Sequence, residues 1–191
     1  SYTGTGVNAT VGHGLSSAPE MVIVKERSDD TGNWYVWHTG FANTHAMFLN
    51  SDSGISESDT YWNDTSPTSS VFNLGTNTDI NGTTGTDTYI AYCFHSVTGY
   101  SSFGSYTGNG STNAVTTGFA PAFVMLKDTT GSGHSWEMHD SVRGADFGLL
   151  ANESDAENSS GTDVIDFTDT GFTLKNSNGN TPDNIYYKAY I

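Results

Sequence analysis

Side chains able to do chemistry are few in this chain, and most stand alone. Cys93 and His95 are two apart in a strand-like stretch, so both point to one face and could form a thiolate–imidazole pair. Neither a glycine turn for an oxyanion nor a third partner accompanies them, and a small core thiol beside an edge histidine is the favoured reading. His38, His45, His134 and His139 could each ligate a metal, but none has a partner at a ligand spacing such as His-x-x-x-His. Acids cluster at Asp29-Asp30, at Glu153-Ser154-Asp155-Ala156-Glu157, and at Asp163, Asp166 and Asp169. Loop carboxylates suit calcium, which takes six to eight oxygens in flexible geometry. Asp29, Asp30, Asp155 and Glu157 are therefore the candidate ligands of a structural cation, with solvated acids as the alternative. No other cofactor is expected.

Glu137, beside Trp136, is the acid best placed for glycosidic hydrolysis, which needs a second carboxylate about 5–9.5 Å away. Its counterpart in the first half is Tyr35, which weakens that reading. Binding is the better prospect. Trp and Tyr beside Asn and Asp make sugar platforms, because rings stack on sugar C–H faces while amides bond hydroxyls. Tyr61-Trp62-Asn63-Asp64 has that composition and lies in the longest expected loop, where binding residues concentrate. These four residues are the first choice for a receptor-contact site. The alternative is that Trp62 folds back as a hydrophobic plug.

The elements that must position these residues read as strands. Val7, Ala9 and Val11 alternate with polar residues, the period of a half-buried strand. Met21-Val22-Ile23-Val24 is a continuous apolar run, expected to be a central strand covered on both faces. In Asn33 to His38, the residues Trp34, Val36 and His38 share one face, and Tyr35 and Trp37 the other. Ala46–Leu49, Val71–Leu74 and Thr88–Phe94 complete a first set of strands. No segment has a capped 3.6-residue period; the best helical candidate, Asn152 to Ser159, is polar throughout.

The same set then recurs. Ser1-Tyr2-Thr3-Gly4 reappears as Ser105-Tyr106-Thr107-Gly108, and Pro19 to Lys25 is echoed by Pro121 to Lys127 at an offset of 102. Trp136 to Asp140 takes the place of Trp34 to His38 at the same offset. Gly171–Leu174 matches Val71–Leu74 at 100, and Ile185–Tyr190 is aligned with Tyr89–Phe94 at 96, which puts Lys188 where Tyr92 stands. Self-similarity of this kind sets the architecture. The expectation is an all-β, antiparallel β-sandwich or jelly-roll-like fold of two tandem repeats with pseudo-two-fold similarity, residues 1–98 and 99–191, packed tightly together. Tyr100 and Phe103 are expected to anchor the link.

Composition narrows the partners. The 191 residues carry 21 acids against 6 bases, a net charge of −15 shared almost evenly by the two halves. That field repels nucleic acid and anionic membrane surfaces. One cysteine allows no internal disulfide, and no run of about 18 apolar residues could cross a membrane as a helix. The opening at Ser1 reads as a fragment boundary or a processed end.

Several long stretches carry a family resemblance: Pro19 to Lys25, Asn33 to His38, Tyr61 to Gly75, Tyr89 to Phe94, and Gly99 to Gly110. In these the chain resembles the internally duplicated β-rich domain of marine bacteriophage (cyanophage-type) tail-fibre and virion surface proteins. The resemblance covers nearly the whole chain and is looser in the second half. It implies a virion structural protein at the particle surface, outside the cell, serving as a tail-fibre or appendage module that contacts the host without being an enzyme. It also implies other virion proteins as partners and a homo-oligomer with a trimer favoured; a host surface glycan is the ligand expected from the aromatic and amide residues above. The alternatives are an architectural capsid or tail decoration protein, and, more weakly, a glycan-cleaving spike domain.

Overall fold

The computed structural model describes residues 1–83, 85–144, 147–159, 165–175 and 185–190, with the backbone alone for 158–159 and 185–190. The chain divides into two compact units. Unit 1 comprises Ser1–Asn50 and Ile55–His95, and unit 2 comprises Ser51–Gly54 and Ser96–Ile191. The division falls three residues before the expected boundary, and the short segment Ser51–Gly54 goes with the second unit.

Unit 1 runs β1 (Tyr2–Thr3), β2 (Ala9–Gly12), β3 (Met21–Glu26), β4 (Trp34–His38), β5 (His45–Phe48), β6 (Ser56–Glu57), β7 (Val71–Leu74), the one-turn helix α1 (Thr78–Asn81) and β8 (Thr88–Phe94). One antiparallel sheet has the order β1-β8-β3-β4-β5-β6, and β2 pairs with β7 in a second. Val22 and Val24 of β3, Tyr35 and Trp37 of β4 and Tyr89 of β8 meet Phe72 and Leu74 of β7 in one buried cluster. The two sheets therefore face each other across a core, as in a sandwich. The other face of the large sheet is apolar as well: Met21, Ile23, Val36 and Met47 are all buried. An apolar run without alternation is what such a doubly covered strand requires. Helix α1 carries no sequence period because it is only one turn long; it is held by Asn77, whose side chain accepts the N–H of Asp79.

Unit 2 runs β9 (Ser102–Thr107), β10 (Asn113–Thr116), β11 (Phe123–Leu126), β12 (Glu137–Asp140), β13 (Phe147–Leu150), β14 (Asn158–Ser159), β15 (Ile165–Thr168), β16 (Gly171–Leu174) and β17 (Ile185–Tyr190). The large sheet has the order β9-β17-β11-β12-β13-β14, and β10-β16-β15 form the small one. Val124 and Leu126 from the first pack on Ile165, Phe172 and Leu174 from the second. All ladders in both units are antiparallel. The fold is all-β.

The registers of the two units can be compared pair by pair. Met21 faces His38, and Phe123 faces Asp140. Tyr35 faces Phe48, and Glu137 faces Leu150. Val11 faces Phe72, and Val115 faces Phe172. Tyr2 faces Tyr89, and Tyr106 faces Tyr186. The last pair, with Val22 facing Cys93 and Val124 facing Tyr190, shifts the final strand by one residue from its sequence alignment. The offset there is 97, so Lys188 stands at the position of Ala91, and Ala189 at that of Tyr92.

One further expectation, the anchoring of the link by Tyr100, is revised: Tyr100 is 76% exposed at a turn, whereas Phe103 is buried. Asn152 to Ser159 is not helical; its last two residues form β14. Strands β1, β6 and β15 join the set, two of them only two residues long and too short to show a period. Among the described residues no helix is long and apolar enough to cross a membrane.

Candidate functional site

Tyr61 and Trp62 do not form a platform. Trp62 is 2% exposed, and Tyr61 is buried beside it in the core of unit 1. The indole N–H of Trp62 donates to the carbonyl of His45 at 2.9 Å, and the Tyr61 hydroxyl bonds Ser56 Oγ at 2.8 Å. Both polar tips are satisfied inside, so burial removes a large apolar area from water without stranding a donor. The loop is pinned at its far end, where the N–H of Gly75 donates to the carbonyl of Tyr61 at 2.7 Å. Asn63 and Asp64 then turn outward at φ 54° and 41°, a left-handed conformation that Asn and Asp tolerate. Asn63 accepts a hydrogen bond from the Asn8 amide, and Asp64 is exposed. Of the four expected contact residues, only these two reach the surface.

The acids are also accounted for locally. Asp29 Oδ1 accepts the Thr31 N–H at 2.8 Å and the Thr31 hydroxyl at 2.7 Å, and these bonds hold its carboxyl below the ordinary range. Asp30 and Asp155 are exposed. Glu157 accepts from Arg143 Nη1 at 3.1 Å, and the same guanidinium holds Asp140. Among the described residues no three His, Cys, Asp or Glu side chains converge to hold a metal ion. Asp163 lies outside the described residues. A cation at Asp29, Asp30, Asp155 or Glu157 therefore has no geometry to support it.

The remaining candidates are dispersed. Burial pushes the Cys93 thiol up to about 11, so it is protonated at neutral pH and is no nucleophile. His38 is buried, accepts the Gly40 N–H at 3.0 Å on Nδ1, and is pushed down to about 4 by desolvation, against a small upward pull from Glu20. His139 is buried against Gly148, its Nε2 3.6 Å from Glu137 Oε2. In unit 1 the matching positions are Trp37 and Tyr35. His45 shares a bond with the Thr44 hydroxyl, and His134 lies 3.6 Å from Asp128.

Sequence reasoning missed two features. The first is Lys127, 1% exposed, whose ammonium donates to the carbonyls of His134 at 2.5 Å and Asp52 at 3.2 Å. Desolvation lowers it to about 8, with Asp128 and Asp52 pulling the other way. A Lys ending an apolar strand gives no hint of this, because such residues normally reach water. The second is Trp34 with Tyr92, whose rings lie 6.4 Å apart at 18°. Trp34 was legible as facing away from Tyr35 and Trp37, but pairing it with Tyr92 needs the sheet register.

The fold is an all-β domain of two compact units, each built from antiparallel sheets packed across a core. The chain matches the family model described as "Domain of unknown function (DUF7483)" over residues 1–191, and it belongs to that family. No curated protein and no solved structure matches it.

Proposed function

We propose that this chain is a structural module of a bacteriophage particle, a tail-fibre or appendage domain that contacts the host surface without covalent chemistry. The observation that carries the reading is the agreement of the two units in strand order and register. We infer that one β unit was duplicated, with changes in length confined to loops. Repetition of a rigid β unit is a direct way to build length and to present loops repeatedly, which an appendage needs. The resemblance of its long sequence stretches to virion surface proteins supports the same reading, and the net charge of −15 suits an exposed surface.

Gold-labelled antibodies raised against the purified chain, applied to particles that carry it, test the proposal by electron microscopy. Label on the fibres or their tips supports it. Label spread over the capsid lattice would show a decoration protein instead, and purified particles without label would remove the virion role altogether.

A further inference from the structure

On the second face of the large sheet in unit 1, where Met21, Ile23, Val36 and Met47 are buried, an aromatic pair stays partly exposed. Trp34 of β4 faces Lys25 of β3 in the ladder, and Tyr92 of β8 faces Ile23. Lys25 and Ile23 are alternate residues of one strand, so both rings lean over β3 from opposite sides on the same face. Their planes differ by 18° and their centroids are 6.4 Å apart. At that distance the near-parallel rings are offset from a face-to-face sandwich, so each leaves apolar ring surface uncovered by the other. Tyr92 is 43% exposed and Trp34 half-buried.

Polar donors rim this surface. No described group accepts from the Trp34 indole N–H or the Tyr92 hydroxyl. The Lys25 ammonium spends one hydrogen on the Asp29 carbonyl at 2.8 Å and keeps two. Directly opposite residues of an antiparallel pair have Cβ atoms about 4.5–5.5 Å apart, so the Lys25 stem runs beside the Trp34 ring. An apolar plane with donors at its edge fits the C–H face and ring hydroxyls of a sugar. Glu26, Asp29 and Asp30 lie close by in sequence, and with the net charge of −15 they oppose anionic polymers.

Unit 2 lacks this arrangement at the matching positions. Trp136 is 1% exposed, Lys127 is buried with its ammonium on the carbonyls of His134 and Asp52, and Ala189 stands where Tyr92 would be. The exposed pair belongs to one unit alone, as a specialised contact would.

We propose that Trp34, Tyr92 and Lys25 form a binding site for a neutral saccharide. The inference rests on the appendage reading, for which it names the ligand class and the contact residues. The full chain is titrated by NMR with neutral hexose oligosaccharides, with dextran sulfate and with the acidic peptide Glu-Ser-Asp-Ala in parallel arms. The expected result is shifts of the Trp34 indole signal with a neutral oligosaccharide, about tenfold weaker in Tyr92→Ser, the loss expected for one aromatic contact. Tyr92 is exposed, so this variant keeps its fold, which its denaturation midpoint verifies; Lys25→Met, expected to weaken binding severalfold, is a second check. Three results overturn the site: no neutral sugar binds, Tyr92→Ser binds undiminished, or only the polyanion or the peptide shifts Trp34. Failure here with antibody label on the fibres removes the site and leaves the appendage reading intact. Label on the capsid removes the appendage reading whatever the sugar does.

Discussion

The backbone N–H of Trp34 donates to the side-chain oxygen of Asn50 at 2.9 Å, closing the open end of the β4–β5 ladder. The Asn50 amide reaches on to Asn33 Oδ1 at 3.0 Å, and the N–H of Leu49 returns to the Trp34 carbonyl. Unit 2 uses the same device 102 residues later. There Trp136 N–H donates to Asn152 Oδ1 at 2.7 Å, the Asn152 amide reaches Ser135, and Ala151 N–H returns to Trp136.

Replacing either clamp should therefore have a similar effect. Asn50→Ala and Asn152→Ala are each expected to cost about 1 kcal/mol, with the less exposed Asn152 costing more, since an unmade hydrogen bond at a ladder end leaves a backbone donor without its partner. Urea unfolding of each variant measures this. Equal stability to wild type would show that the clamp is incidental.

Of the two readings of Trp62, receptor contact and hydrophobic plug, the structure shows the plug. Trp62→Ala should destabilise unit 1 by about 3–5 kcal/mol, the usual range for deleting a buried indole. Asp64→Ala, two residues on and exposed, should stay within about 0.5 kcal/mol. A Trp62→Ala protein as stable as wild type would return that residue to the surface.

Gly75 sits against the carbonyl of Thr60, where an added Cβ would meet the oxygen directly. That carbonyl is backbone held by the Asn77 N–H at 3.0 Å and cannot swing aside. Gly75→Ala is expected to cost about 1–3 kcal/mol through forced backbone shifts, read as a lowered melting temperature.

The neutral, buried His38 makes stability depend on pH. Its folded value of about 4 lies below the ordinary 6.5, so the unfolded chain binds more protons between these limits. Its contribution is complete above pH 6.5 and is lost as pH falls through about 4, amounting to at most about 3 kcal/mol. His38→Asn keeps an acceptor for the Gly40 N–H and removes the titration. The variant should show a flatter stability profile between pH 6.5 and 4; an unchanged slope would assign the effect to the carboxylates.

What the sequence disclosed followed from periodicity. The apolar run Met21 to Val24 announced a strand covered on both faces, and the alternation in Trp34 to His38 sorted its residues onto their true sides. Side chains outside periodic segments were opaque. Tyr61-Trp62-Asn63-Asp64 alone does not decide between a platform and a plug, because burial depends on where the fold places the His45 carbonyl and the Ser56 hydroxyl. The final strand was aligned one residue out because its tyrosines allow more than one register, and only pairing with Ser102–Thr107 decides between them. Trp34 and Tyr92 became a pair for the same reason: 58 residues separate them in sequence, and the register of β3 brings them together.

The central claim is that this module meets the host surface. Monovalent antibody fragments against the chain, added to particles before mixing with host cells, test it most directly, with unadsorbed particles counted over time. The account predicts a dose-dependent fall in the adsorption rate. Fragments that saturate the particles while adsorption proceeds at its normal rate would contradict it.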